Sequence, residues 1–275
     1  MADIRHASRT ERAIVLFVTA LILFPVLWLL FLSFIPGQDI AGGFGTIGRR
    51  FTLENFTSLW DAVFANSFVN SLVVSVVSVV IAIALGAPFA FWLSRAHLSA
   101  RSDFGIGLII LATRMAPPIA FTLPYFLAYR YAEIMDTRLG LILVYVTINL
   151  SLVVWTMRTF FDGVPTSIDE SAEIDGASRV QTFFEVVLPM SATGLVATTI
   201  LAFIYAWNDF FFALILTRTE AMTAPVAIVN FLNFEGWEWG KIAAGGVMVM
   251  APVALFSLAM QKYLVKGLSA GAVKG

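Results

Sequence analysis

The sequence of 275 residues contains no cysteine, two histidines and few charged residues, which make up 13% of the chain. Without cysteine the chain has no disulfide, no thiolate metal ligand and no cysteine nucleophile. His6 and His97 stand next to apolar runs and not within them, so neither a histidine metal site nor a proton relay is expected. The net charge of −1 and the lack of basic clusters argue against a nucleic-acid partner.

Hydrophobic residues are abundant instead, at 59% of the chain, and the mean hydropathy is +0.88. This composition is typical of a polytopic membrane protein and not of a globular domain. Apolar runs of about 20 residues, enough to cross the hydrocarbon layer, predict an all-α protein with six transmembrane helices. The predicted spans are Ala13–Phe34, Phe68–Leu93, Phe104–Tyr131, Leu139–Phe161, Ser191–Leu216 and Lys241–Val265.

Two of these spans need comment. The first follows several arginines and resembles a signal peptide, but it is too long for a signal-peptide core and is interpreted as an uncleaved helix. The third contains Pro117, Pro118 and Pro124. Each proline removes a backbone donor, so kinks are predicted there.

Basic residues in the loops predict the orientation. With the N-terminus inside, ten lysines and arginines fall on the inner side and six on the outer side, which favours both termini in the cytoplasm. The predicted organisation is a cytoplasmic N-terminus at 1–12, a six-helix transmembrane domain at 13–265 and a cytoplasmic tail at 266–275. The loop 162–189 then lies on the cytoplasmic face.

The first half of this loop has the pattern of a short helix. Ser167 and Glu170 have the spacing of a capping box, which predicts a helix start. Gly176 stands where a left-handed residue would end that helix about two turns later.

The second half predicts another helix. Ser178 and Gln181 form a second capping box, and Pro189 marks the turn into the fifth span. The apolar residues between them fall at i, i+3, i+4 and i+7, which predicts one amphipathic face. These residues are Val180, Phe183, Phe184 and Val187.

The loop is also strongly acidic, with six carboxylates against the single cation Arg179 between positions 162 and 189. Such a segment gains nothing from an anionic lipid surface, so a basic protein surface is a more favourable neighbour. The alternative is a solvated loop whose acids only keep it soluble.

The loop further carries a resemblance to a known family. Glu170-Ser171-Ala172, then Gly176, then Val186–Pro189 resembles the EAA cytoplasmic loop of permease subunits in bacterial ABC importers. Ser171 replaces the usual alanine and Val186 the commoner isoleucine. Other stretches are similar to maltose-type carbohydrate permeases, and more closely to the smaller of the two permeases. They are FTLENF (51–56), NSL (70–72), RMAPP (114–118), AWNDFFFAL (206–214) and GLSAGAVKG (267–275).

The resemblance implies a type I ABC importer permease fold in a bacterial inner membrane, with 162–189 as a coupling helix that docks in a cleft of an ATPase. The implied partners are a second, larger permease, two ATPase subunits, an extracytoplasmic sugar-binding protein and membrane lipid. Gly236–Ile242 lacks the glycine spacing of a phosphate-binding loop. The chain is therefore expected to be no enzyme and to bind no cofactor, with ATP and magnesium held by the ATPase.

Two groups of site residues follow. The coupling residues implied by the resemblance are Glu170, Ser171, Ala172, Asp175, Gly176, Val180, Phe183, Leu188 and Pro189. The polar and aromatic residues of the spans that we assign to the translocation pathway or its gate are Arg114, Asn149, Trp207, Asn208 and Asp209. An arginine at the bilayer centre costs about 2.5–3.5 kcal/mol, so Arg114 should face the interior. A pair with Asp209 is one hypothesis, and a structural or gating role is favoured over direct sugar contact. Asn70, like Asn149 and Asn208, could hydrogen-bond solute hydroxyls, although bonding between helices is the commoner use of such residues.

The ends and outer loops receive weaker predictions. The resemblance implies that the loop 217–240 contacts the binding protein, and the loop 35–67 is expected to add to the same surface. Trp237 and Trp239 could equally anchor the chain at the membrane interface. The tail 267–275 either contacts the ATPase or is a disordered end.

An ion-coupled secondary transporter is the main alternative function. It would normally show several buried acids and repeated halves, and the sequence has one clear intramembrane acid and no evident repeat. Channels and intramembrane enzymes fit less well, because neither pore-lining rings nor a catalytic constellation is evident. Co-purification of an ATPase and a second permease would distinguish the importer from the secondary transporter.

Overall fold

The structure is a computed structural model that describes residues 8–42, 47, 48, 50–233 and 236–271. Parts of the predicted termini and of the outer loops 35–67 and 217–240 lie outside these ranges. The chain divides into two compact units, Met1–Ala65 with Ala227–Ala251, and Asn66–Val226 with Pro252–Gly275.

The described chain is almost entirely helical, which confirms the all-α prediction. The helices up to the loop are α1 (Arg9–Ser33), α2 (Gly37–Ala41), α3 (Glu54–Leu59), α4 (Ala62–Arg95), α5 (Ala100–Met115), α6 (Pro118–Tyr131) and α7 (Arg138–Asp162). Those that follow are α8 (Thr166–Ile174), α9 (Arg179–Gln181), a π-helix (Thr182–Val187), α10 (Leu188–Met190), α11 (Ala192–Trp207), α12 (Phe211–Leu216), α13 (Ala224–Ala227), a 3₁₀-helix (Ile228–Phe231) and α14 (Trp239–Gly271). A short antiparallel ribbon, β1 (Leu232–Asn233) with β2 (Gly236–Trp237), precedes α14.

Four helices in the described residues are long and apolar enough to cross a membrane: Arg9–Ser33, Val63–Arg95, Arg138–Asp162 and Trp239–Ala259. Two further pairs qualify only together, Ala100–Met115 with Pro118–Tyr131, bent by 87°, and Arg179–Met190 with Ala192–Trp207, bent by 80°. The predicted number of six is therefore reached when each bent pair counts as one span. The first helix begins at Arg9, earlier than predicted, because Ser8 and Glu11 form a complete capping box.

The third predicted span breaks where its prolines meet. Ala116 is extended, with ψ of 128°, because a residue before proline is excluded from the α region. Pro117 then caps α6. The predicted bend is confirmed at Pro117 and Pro118, where α5 and α6 meet at 87°, and Pro124 lies inside α6, which continues through it.

The fifth predicted span was wrongly treated as continuous. Its helix α11 ends at Trp207, and α12 starts at Phe211. The carboxylate of Asp209, one residue before the N-cap Phe210, accepts the backbone N–H of Ala213 in the first turn of α12 at 3.2 Å. This break contains neither proline nor glycine and gave no strong sequence signal.

In the second unit, the side chains of α4, α7 and the π-helix form a common core. Its buried members include Leu93, Val153, Phe161, Phe183 and Val187. Helix α11 approaches α7 closely, since a Cβ atom at Gly194 would lie 2.2 Å from Cγ of Phe160. The loop 162–189 is thus attached to the ends of α4 and α7.

The first unit contains a polar junction after α1. The amide nitrogen of Asn55 donates to the carbonyl oxygens of Ser33 at 2.9 Å and Ile35 at 2.8 Å. Asp39 pairs with Arg50 at 2.8 Å. The two bonds from Asn55 satisfy carbonyl groups at and just after the end of α1.

Candidate functional site

Helix α8 starts without the predicted capping box. Pro165 occupies the N-cap position and no side chain caps the helix, because α8 begins one residue before Ser167. The carbonyl of Ser167 instead accepts the hydroxyl of Ser171 at 2.8 Å. The carboxylate of Glu170 is therefore exposed and not engaged as a cap.

The predicted left-handed end of α8 is confirmed at Gly176, whose φ is +89°. The N–H of Ala177 donates to the carbonyl of Ala172 at 2.9 Å, and that of Gly176 to Glu173 at 3.0 Å. Together these bonds form the Schellman motif. A Cβ at Gly176 would meet nothing within 4 Å, so the glycine is needed for its backbone conformation.

The second helix starts as predicted and then changes its pitch. Ser178 and Gln181 form a complete capping box. The following π-helix has a wider turn than an α-helix, so the predicted single amphipathic face is wrong. Phe183 and Val187 are buried, whereas Val180 and Phe184 are exposed. π-Helical turns of this kind occur often at functional sites.

Phe183 anchors the loop to the transmembrane helices. Its ring lies 5.2 Å from that of Phe91 on α4 and 6.1 Å from that of Phe161 on α7. Phe183 therefore packs within this chain and is not free to contact a partner.

The remaining predicted coupling residues form a mixed acidic and apolar surface. Exposed members are Glu170, Ser171, Asp175, Gly176, Val180 and Pro189, while Ala172 and Leu188 are half-buried. Ile174 also belongs to this surface, with 87% of its area exposed, although no sequence pattern singled it out. We call the exposed residues Glu170, Glu173, Ile174 and Asp175 the α8 surface. This surface therefore combines negative charge with one exposed apolar side chain.

Arg95, one of the ten basic residues counted on the inner side, lies where the loop is attached to α4 and α7. It forms an ion pair with Asp169 on α8, and the two side chains are only 16% and 15% exposed. The same guanidinium donates to the carbonyls of Phe161 and Val164, both at 3.1 Å.

A separate cavity of about 310 Å³ lies within the second unit, lined by α5, α6, α7, α11 and α12. Three predicted pathway residues line it, namely Arg114, Asn149 and Asp209. The other two do not. Trp207 is buried against the rings of Phe68 and Phe203, and Asn208 caps the end of α11.

Hydrogen bonds within the cavity differ from the predicted ones. Asp209 accepts the hydroxyl of Tyr145 at 2.8 Å, and the guanidinium of Arg114 stands 5.2 Å from the ring centre of Tyr205. No ion pair joins Arg114 to Asp209 in the described part of the chain, so that hypothesis was wrong.

Asn149 is the least satisfied polar group in this cavity. It is 1% exposed, and its Oδ1 atom has no hydrogen-bond partner. A buried acceptor without a donor is unfavourable. The interruption after α5 borders the same cavity at Ala116, as the interruption before α12 does at Asp209. Irregular backbone at membrane depth is usual where it lines a cavity.

The loop 217–223 is held by Asp136. Its carboxylate accepts four backbone N–H groups, from Arg218 to Ala221, at 2.9–3.1 Å. Partial burial raises the pKa of Asp136, but these four bonds outweigh it and leave the pKa below the ordinary 3.8.

Asn70 holds the same loop and is not available to a solute. It donates to the carbonyls of Glu220 and Met222 at 2.8 and 3.0 Å, and accepts from Arg138 at 2.7 Å. The structure therefore gives Asn70 a structural role.

Comparisons with known proteins agree with this architecture. Residues 82–270 match the family model described as binding-protein-dependent transport system inner membrane component. The trehalose transport system permease protein SugB of Mycobacterium tuberculosis is 38% identical over 257 residues, which cover 92% of this chain and 93% of that protein. The trehalose/maltose transport system permease protein MalG of Thermococcus litoralis is 32% identical over 262 residues, or 92% of each chain.

A solved structure shows the same fold. One chain of a bacterial ABC transporter involved in the import of the acidic polysaccharide alginate aligns with a TM-score of 0.75 at 26% identity, covering 94% of this chain and 98% of that one.

Proposed function

This chain belongs to the family of binding-protein-dependent transport system inner membrane components, and we propose that it is the smaller permease of an ATP-driven importer for a sugar or sugar-like solute. It has the type I ABC importer permease fold and is a multi-pass protein of the inner membrane. The relatives named for trehalose and maltose support a carbohydrate solute. The alternative of an ion-coupled transporter has no support among them.

Coupling to an ATPase is assigned to the loop 162–189, and the α8 surface carries this proposal. It presents three exposed carboxylates around Ile174, on a helix whose end is fixed by Gly176. Opposite charge on a partner gives specific docking, and Ile174 supplies apolar contact. The backbone at Gly176 is open to close approach by a partner, since nothing lies within 4 Å of a Cβ there.

The cavity with Arg114, Asn149 and Asp209 is proposed as this subunit's share of the translocation pathway. The bond from Tyr145 on α7 supports a gating role for Asp209, because this bond would change if α12 moved relative to α7. Asn149 offers an acceptor to a passing hydroxyl group.

The proposed partners are a larger permease, two ATPase subunits that bind ATP and magnesium, and an extracytoplasmic sugar-binding protein. Both termini are assigned to the cytoplasm from the distribution of basic residues. The loop fixed by Asp136 and Asn70 then lies outside, as a preformed surface for the binding protein.

Charge reversal on the α8 surface tests the coupling. The chain is co-expressed with its neighbouring permease and ATPase, and the purified complex is reconstituted into liposomes with a binding protein. We expect Glu170→Lys to lower solute uptake per ATP hydrolysed roughly tenfold, as expected when an interfacial charge pair is reversed, while the chain still inserts. Glu185→Lys, a matched reversal on the π-helix, should have a smaller effect. Unchanged uptake in Glu170→Lys, or failure of any ATPase to co-purify, would contradict the proposal.

A further inference from the structure

Arg95 is the last residue of α4, and all five of its guanidinium N–H donors are used. The Nε and one Nη2 donor reach the two carboxylate oxygens of Asp169. The other Nη2 donor binds the carbonyl of Val164 at 3.1 Å. The Nη1 donors bind the carbonyl of Phe161 at 3.1 Å and the hydroxyl of Ser94 at 3.0 Å. Arginine has five such donors in a fixed planar geometry, so this side chain is saturated.

The same guanidinium also stacks on its own helix. Its Cζ atom lies 5.6 Å from the ring centre of Phe91, one turn earlier in α4. Stacking on an aromatic face and bidentate pairing with a carboxylate are arginine-specific contacts that lysine does not reproduce. Together they fix the position and the plane of the group.

Three segments meet at this side chain: the end of α4, the chain that leaves α7 at Phe161 to Val164, and α8 through Asp169. Helix α8 has no fully buried residue, and its apolar contact with the core is made by the partly buried Ile168. Within the described residues, Arg95–Asp169 is the ion pair that joins α8 to a transmembrane helix. Asp169 directly precedes Glu170 of the α8 surface.

We propose that Arg95 is the positioning residue that transmits movement of α8 to α4 and α7 during ATP-driven transport. This inference rests on the proposed coupling function of the loop. A displacement of the α8 surface reaches Asp169 through one peptide unit, and the pair with Arg95 passes it to the end of α4. Because the pair is largely shielded from water, it is screened less than a surface ion pair, and its five bonds leave the group little freedom to reorient.

Distance measurements in the assembled complex test this directly, since the chain has no native cysteine to interfere with labelling. Spin labels are placed at the exposed positions Leu85 on α4 and Ser167 on α8, outside the α8 surface, as Leu85→Cys and Ser167→Cys, and distances are recorded without nucleotide and with trapped ATP. We expect one narrow distribution that is the same in both states when Arg95 is present. In Arg95→Gln the distribution should broaden and depend on the nucleotide. An identical narrow distribution in Arg95→Gln would overturn the proposal.

Transport provides a second readout on the same complex, with labelled trehalose and maltose as probes. Arg95→Gln should lower uptake per ATP hydrolysed roughly 3- to 30-fold, and the double variant Arg95→Gln/Asp169→Asn should lose no more than the single one. Arg95→Lys should lie between the native protein and Arg95→Gln. Full recovery in Arg95→Lys would refute the assignment to the five-donor group.

Arg158→Gln is the matched control. Arg158 is also partly buried and pairs with Asp103 and Asp162, but it does not contact α8. It should leave the distance distribution unchanged, and broadening equal to that of Arg95→Gln would count against a specific role for Arg95. If Glu170→Lys uncouples transport and Arg95→Gln does not, only the present inference fails. If neither variant lowers uptake per ATP hydrolysed and no ATPase co-purifies, the proposed function fails as well.

Discussion

Replacing Gly176 by alanine should destabilise the end of α8 without causing any steric clash. The glycine has φ of +89°, and a Cβ atom there would meet nothing within 4 Å. The cost therefore comes from the backbone alone. An L-residue in the left-handed region costs roughly 1–2 kcal/mol, which corresponds to a factor of roughly 5–30 in the local equilibrium constant.

Hydrogen–deuterium exchange measures this change at the affected amides. The N–H groups of Gly176 and Ala177, which bond to the last turn of α8, should exchange roughly 5–30 times faster in Gly176→Ala, in proportion to that equilibrium constant. Gly176→Asn should stay near the native rate, because asparagine tolerates the left-handed conformation better than alanine.

Gly105→Ala serves as the control. Gly105 lies in α5, has no positive φ, and its Cβ would also meet nothing within 4 Å. Alanine is the better helix former there, so exchange in α8 should not change. Native exchange rates in Gly176→Ala would refute the reasoning, since the glycine would then not be required for its conformation. Equally fast exchange in Gly176→Ala and Gly176→Asn would also refute it.

Three further predictions concern the rest of the second unit. Asp136→Asn should lower the melting temperature at neutral pH. Because the pKa of Asp136 is lower in the folded protein than in the unfolded chain, its stabilisation is present at pH values above the unfolded pKa and is lost as the pH falls below 3.8. The melting temperatures of the two proteins should therefore converge in acid. Gly194→Ala should destabilise the chain by about 1–3 kcal/mol through overpacking, and Phe160→Ala in the same chain should relieve part of this in a thermal melt. Tyr145→Phe removes the hydroxyl donor to Asp209 and should cost about 1–3 kcal/mol of the site's stability; it should slow uptake, and an unchanged rate would exclude Asp209 as a gate held by Tyr145.

Features set by local chemistry were predictable from the sequence. The apolar runs gave the transmembrane segments, the adjacent prolines gave the interruption after Met115, and the glycine and Ser178 gave the end of one short helix and the start of the next. Each depends on residues within one turn of the feature. The capping box at Ser167 failed for an equally local reason, because Pro165 starts the helix one residue earlier.

Features that depend on distant residues were not predictable. The partners Arg95 and Asp169 are 74 positions apart, and Tyr145 and Asp209 are 64 apart. The break before Phe211 includes Asp209 of the second pair, and nothing in residues 208–210 alone demands it. The failure of the expected amphipathic face has the same origin, because burial of Phe183 against α4 and α7 accompanies a wider turn.

The wider π-helical turn at Thr182–Val187 makes the number of residues between Gly176 and Ser191 important. Each residue of an α-helix turns the chain by about 100°, and a π-turn already accommodates one residue more than an α-turn, so inserting one further residue into Thr182–Val187 would swing everything before it by about that angle. The carboxylates of α8 would then face a different direction while the transmembrane helices stayed in place. Loops usually accept insertions, but this one should accept substitutions more readily than an inserted residue.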